Sequence, residues 1–139
     1  MSDKIMISAD CVCDLPEGLL NEYSIHTIPF YVSMNEVRFL DYEEVDFNSV
    51  YEYLETDKEK IFSSPPTVCD YRDFFRKLAG EENKQVIHIC VSQKMSSAYK
   101  NALEAAKDME HVHVVDSGLI SYGIGLLALY AAKLARTDT

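Results

Sequence analysis

The chain has 139 residues, 47% of them hydrophobic and 26% charged, and a formal net charge of −10. This describes a globular domain with a real core, and the negative balance excludes nucleic acid and anionic membrane surfaces as electrostatic partners. No apolar run approaches the roughly 20 residues of a membrane span, residues 1–4 lead into a strand-like run without a signal peptide, and four cysteines outside a secretory context point to reduced thiols in the cytoplasm.

Residues 5–9 read as a first strand and residues 10–14 as a turn. Asp14 is expected to cap a helix that carries Pro16 in its first turn and ends near Tyr23. Residues 25–32 read as a second strand, with Pro29 marking an edge or a bulge. Asn35 and Glu36 turn it into a short extended piece over residues 37–40. Asp46 is expected to cap a helix over residues 47–56, with Val50, Tyr53 and Leu54 on one face. Pro65 and Pro66 bar residues 61–67 from helix or central strand. Thr67 and Asp70 have the spacing of a capping box, with Asp in place of Glu or Gln, opening a helix that runs to Leu78 and stops at Gly80.

Residues 86–91 form a β-branched apolar run suited to a buried strand. Residues 98–107 are rich in the strong helix formers Ala, Leu, Glu and Lys. Between them lies a hydroxyl-rich turn that ends on Ser96 and Ser97. A helix N-terminus leaves unpaired N–H groups and a partial positive charge. Serines there either cap the helix or help hold an anion, and both readings stay open. Residues 111–115 are a further strand, 116–118 a turn and 119–135 a long apolar helix.

Alternating strands and helices predict an α/β fold: one three-layer domain over residues 1–139, with a mostly parallel sheet of about four strands covered on both faces. Ligands bind such sheets at the carboxyl ends of the strands. Those ends carry Asp10 and Cys11, the Ser92 to Ser97 turn, and Asp116 and Ser117. The loop with Ser63 and Ser64 is placed to fold over the same rim.

Cys11 and Cys13 lack the second close pair that a zinc site needs. With Cys90 inside a strand, the thiols read as buried and free, and no metal site is expected. His111 and His113 share a strand face and read as edge groups. Ser96 as a nucleophile would need the small glycines of a strained strand-to-helix elbow, and residues 94–98 hold none. Glycine-rich phosphate loops are also absent. Gly123 and Gly125 read as close-packing positions in the last helix.

Five stretches, in order, resemble the DegV family of bacterial fatty-acid-binding proteins. Residues 8–16 resemble its T-D-S-T-A-D-L-P opening, and residues 23–32 its Y-G-I…V-P-L-x-V strand. Residues 62–67 fall where the family has T-S-Q-P-S, and residues 91–99 on I-S-S-x-L-S-G-T-Y. Residues 112–117 match V-x-V-I-D-S, followed by Gly123 and Gly125 as G-x-G. The departures are Ser63 for Thr, Pro65 for Gln, Ser97 for Gly, Ala98 for Thr, and three hydroxyls lost from the opening.

The resemblance implies a DegV-like N-terminal α/β domain and a bound long-chain fatty acid, with no other cofactor. Its carboxylate would be held at Ser63 and Ser96, with Ser64 and Ser97 nearby. It also implies a carrier rather than an enzyme, one that presents the lipid to a fatty-acid kinase subunit in the cytoplasm. The family's second domain, part of the lipid-tunnel wall, is expected after the last helix and is absent from these 139 residues. The alternatives are a ligand-free interaction module that forms a homodimer through the exposed apolar surface, and a hydrolase using Ser96.

Overall fold

A computed structural model describes residues 4–56 and 60–137. Strand β1 (Ile5–Asp10) is the hub of the larger sheet, flanked by β2 (Ile25–Ile28) on one side and β6 (Gln85–Cys90) on the other, with β7 (Val112–Asp116) beyond β6. All three pairings are parallel. Parallel strands need crossover helices, and those helices bury both faces of the sheet. This is why the central strands lack alternation: residues 7–10 of β1 are all buried.

Helices α3 (Val68–Ala79) and α4 (Ala98–Ala106) pack together against β6 and β7, while α1 (Glu17–Tyr23) and α5 (Tyr122–Arg136) pack together against β1 and β2. The fold is therefore the expected α/β arrangement with a four-stranded parallel sheet. Gly125 lets α5 approach the turn after β1. A Cβ there would lie 2.8 Å from Leu15 Cδ2 and 2.9 Å from the Cys13 carbonyl oxygen. The close-packing reading of this glycine thus has a backbone cause.

A second, antiparallel sheet stands beside the first, in the order β4 (Val37–Leu40), β3 (Tyr31–Met34), β5 (Phe62–Ser64). Val32, Met34 and Val45 form its small core, with Val50 and Tyr53 of α2 (Phe47–Thr56) against it. The sequence reading placed residues 25–32 in one strand. The chain instead breaks at Pro29, which has no N–H to donate to a ladder. β2 then joins the parallel sheet, and β3 leaves it for the antiparallel one. β5 is a three-residue edge strand, the place that its neighbouring prolines permit.

Two caps match their sequence signals. Thr67 Oγ1 accepts the Asp70 N–H at 3.1 Å and Asp70 Oδ2 accepts the Thr67 N–H at 2.9 Å, closing the capping box of α3. Asp46 Oδ1 accepts the Ser49 N–H at 2.9 Å at the start of α2. Asp14 differs from expectation, because Pro16, not Asp14, precedes α1. Asp14 is left-handed (φ 54°) and closes a short 3-10 turn. Its carboxylate accepts from Tyr42 Oη at 2.7 Å and Ser121 Oγ at 2.6 Å, which ties three loops together.

Candidate functional site

The rim is built on a buried polar anchor. Asp10 ends β1 and was expected to face the rim, but it turns inward and has no exposed surface. Its carboxylate accepts from Tyr71 Oη at 2.6 Å and from the Val91 N–H at 2.9 Å, and lies 3.1 Å from His88 Nε2. The Ser8 hydroxyl meets the other ring nitrogen of His88 at 2.8 Å. A buried carboxylate costs free energy unless its lone pairs are filled. Here α3, β6 and the turn after β6 each supply a partner. Burial, and then the charge of Asp10, push the Tyr71 phenol far above its ordinary value, so it remains a donor. Because Val91 is held by its backbone N–H, the same contact fixes where the serine turn leaves the sheet.

Ser8, His88 and Asp10 have the composition of a hydrolase triad, yet all three are fully buried. None of them lines the serine cavity. The ligand atoms of Asp10, His88 and Cys90 also lie within 4.8 Å of one another. Burial pushes the Cys90 thiol well up, and Asp10 and His88 already carry hydrogen bonds. The donor set therefore fits a hydrogen-bonded core better than a cation. The sequence reading did not group these residues; polar residues inside apolar strands were the available signal.

Above this anchor lies a cavity of about 320 Å³ bordered by Ser63, Ser64, Ser96 and Ser97. The two serine pairs come from β5 and from the turn before α4. Val12, Phe30, Val91, Met95 and Ile120 supply its apolar lining, and Asp41 also borders it. Its size is at the low end of small-ligand pockets. Met95 and Ile120 are 60% and 50% exposed, so the apolar lining continues onto the surface.

The serines are not equivalent. Ser96, one residue before the N-cap of α4, accepts the Ala98 N–H on its Oγ at 3.1 Å and so satisfies the first N–H of the helix. That bond uses an oxygen lone pair and leaves the hydroxyl proton free to donate into the cavity. Ser97 holds the N-cap position of α4 and makes no side-chain cap bond.

Neighbouring loops hold the lining in place. Asp116 accepts the Gln93 N–H at 3.1 Å and the Gly118 N–H at 3.0 Å, which joins the serine turn to the loop after β7. Ser121, next to Ile120, is in a conformation that L residues rarely adopt (φ 57°, ψ −131°). Such a residue costs about 1–3 kcal/mol, and its hydroxyl bond to Asp14 helps to hold it. On the far side of Asp41 is a second cavity of about 500 Å³, lined by Cys13, Leu15, Leu20 and Pro29 among others. Cys11 also lines this second cavity. Burial pushes its thiol up to about 12, so it is not a thiolate nucleophile at neutral pH. Ser96 Oγ is hydrogen-bonded to a backbone N–H, whereas an activated serine nucleophile is paired with a general base.

Comparison with known proteins follows the same lines. Residues 4–139 match the model of a family of uncharacterised proteins, the DegV family. The chain is 33% identical over 136 residues to a DegV domain-containing protein of Clostridium perfringens, covering 95% of this chain and 48% of that one. Among solved structures, a fatty-acid-binding DegV family protein from Thermus thermophilus superposes with a TM-score of 0.88 at 25% identity, covering 98% of this chain and 49% of that one. A Thermotoga maritima protein with fatty acid binding function superposes with a TM-score of 0.85 at 28% identity, covering 98% of this chain and 51% of that one. The chain thus spans about half the length of these relatives.

Proposed function

Because this chain belongs to the DegV family, we propose that it binds a long-chain fatty acid whose carboxylate is received by Ser63, Ser64, Ser96 and Ser97 at the N-terminus of α4. The observation that carries this reading is the meeting of two serine pairs, distant in sequence, on one cavity with an apolar lining. The serines donate hydroxyl protons, and the helix N-terminus adds a field that favours an anion. A tail of about 16 carbons contributes roughly 12 kcal/mol of gross burial at about 0.8 kcal/mol per CH₂, before association costs. Affinity therefore resides in the tail, and the serines set its direction.

In this reading the protein is a cytoplasmic carrier and not a catalyst. The serine end offers the carboxylate at the surface, where a fatty-acid kinase subunit takes it. Mass spectrometry under native conditions, on gently extracted protein, tests the assignment. The expected result is a bound fatty acid in the wild-type chain and its loss from the Ser63→Ala/Ser96→Ala double variant. Absence of lipid from the wild type, or equal occupancy in both proteins, overturns it.

A second reading rests on α5. Tyr122, Leu126, Tyr130 and Leu134 recur every fourth residue and are 65%, 67%, 62% and 53% exposed. Such a stripe is suited to a partner, and a second copy of this chain is the simplest one. A homodimer in sedimentation, with no lipid carried through purification, favours that reading over the carrier.

A further inference from the structure

We propose that Asp41 couples ligand binding at the serine site to proton uptake, so that a fatty acid binds best when one proton is held between its carboxyl group and Asp41. The inference rests on the fatty-acid reading and adds a specificity-determining residue to it. Asp41 lines the serine cavity together with Ser63, Ser64, Ser96 and Ser97, and it also lines the second cavity behind it. It follows β4, and its backbone N–H bonds the Phe30 carbonyl at 2.9 Å, which holds the residue between the two spaces.

The side chains around Asp41 bring no positive charge to an ionised ligand, and the partial charge of the α4 N-terminus is its one source of relief. On the serine side the other polar side chains in the lining are hydroxyls. On the other side stand Asp14, Glu17 and Glu43, with the Cys11 thiol 3.9 Å from Asp41 Oδ2 and the Tyr42 phenol already bonded to Asp14. Among the described residues, no lysine or arginine lines either cavity. Lys94, on the serine turn, adds its charge to the Gly118 N–H that holds Asp116 low, outside both cavities.

A fatty-acid carboxylate at the serines therefore shares a small space with a second carboxylate, and like charges in one site favour keeping a proton on one of them. Burial of Asp41 acts in the same direction, raising its own carboxyl above the ordinary range, and Asp14 adds to this. Either arrangement, a protonated ligand beside Asp41 carboxylate or an ionised ligand beside protonated Asp41, removes the repulsion. Affinity should thus rise as pH falls.

The test is displacement of a fluorescent fatty acid by palmitic acid, and separately by the neutral hexadecanol, at pH 5.5 and pH 8. It is run on the wild-type chain and on Asp41→Asn. In the wild type, palmitic acid should bind about threefold more tightly at the lower pH, approaching a tenfold ceiling only in stronger acid, for one pKa unit of like-charge interaction. Asp41→Asn should bind it tightly at both values. Hexadecanol should be insensitive to pH in both chains, and its retention by the variant shows that the pocket has survived the substitution. The same pH slope in both chains, or weaker palmitic acid binding by Asp41→Asn while hexadecanol binds normally, overturns the role of Asp41 and leaves the fatty-acid reading standing. If neither chain binds either lipid, the reading itself fails and takes this inference with it.

Discussion

Replacing Ser96 with alanine separates two roles that one hydroxyl can hold at once. The oxygen accepts the Ala98 N–H at 3.1 Å, and removing such a helix-start acceptor costs about 1 kcal/mol. In a domain of this size that lowers Tm by about 4 °C. The hydroxyl proton is the part offered to a fatty-acid carboxylate, and a hydrogen bond to a charged group contributes about 1.5–3 kcal/mol. The second loss weakens fatty-acid binding by roughly 10- to 150-fold. Calorimetry reads the first effect, and displacement of a fluorescent fatty acid, well below the melting range, reads the second. The methyl ester serves as a ligand without the charge and should lose much less affinity. Ser97→Ala is the companion variant. Its side chain makes no cap bond, so stability should change by less than about 0.5 kcal/mol. If Ser96→Ala melts lower but holds the fatty acid as tightly as the wild type, the hydroxyl is only a cap and the carboxylate assignment is wrong. If Ser97→Ala loses as much stability as Ser96→Ala, the division of labour between the two serines is wrong instead.

Tyr71→Phe should cost about 1.5–3 kcal/mol, because it removes one hydroxyl donor from a buried carboxylate and nothing else. The ring keeps its contacts with Phe75 at 5.8 Å and His88 at 5.5 Å. A urea midpoint unchanged from wild type would mean that the Asp10 anchor does not depend on that bond. Gly125→Ala should destabilise by about 1–3 kcal/mol despite alanine's better helix propensity, since its Cβ meets the Cys13 carbonyl oxygen at 2.9 Å. Gly18→Ala in α1 has nothing within 4 Å and should instead stabilise by roughly 0.5–1 kcal/mol. The two glycine variants compared in one denaturation series test the close approach of α5, and equal shifts would refute it.

Signals that act over a few residues were legible in the chain. The capping box at Thr67 and Asp70, the cap at Asp46 and the β-branched run of β6 each form wherever their local sequence occurs, because their partners lie within one turn or one strand. The parallel sheet followed from alternation of strand and helix, since a crossover helix leaves few other arrangements. The position of the Ser96 and Ser97 turn at the carboxyl end of β6 was legible for the same reason, whereas Ser63 and Ser64 lie in the antiparallel strand β5.

Other features depended on residues far apart along the chain. Asp14 reads as a cap and became a tie between Tyr42 and Ser121, because those hydroxyls arrive from loops that only the folded chain brings near it. Asp10 reads as a rim residue and became a buried anchor, because Tyr71 and His88 supply the hydrogen bonds that make its burial affordable. The strand over residues 25–32 divides between two sheets at Pro29. The proline marks the break, but which sheet each half joins depends on β1 and β5, which lie outside that stretch. The sharing of one cavity by Asp41 and the serines has no local signature at all. It arises from the way β4, β5 and the α4 turn meet over the parallel sheet, and no short window of sequence spans those elements.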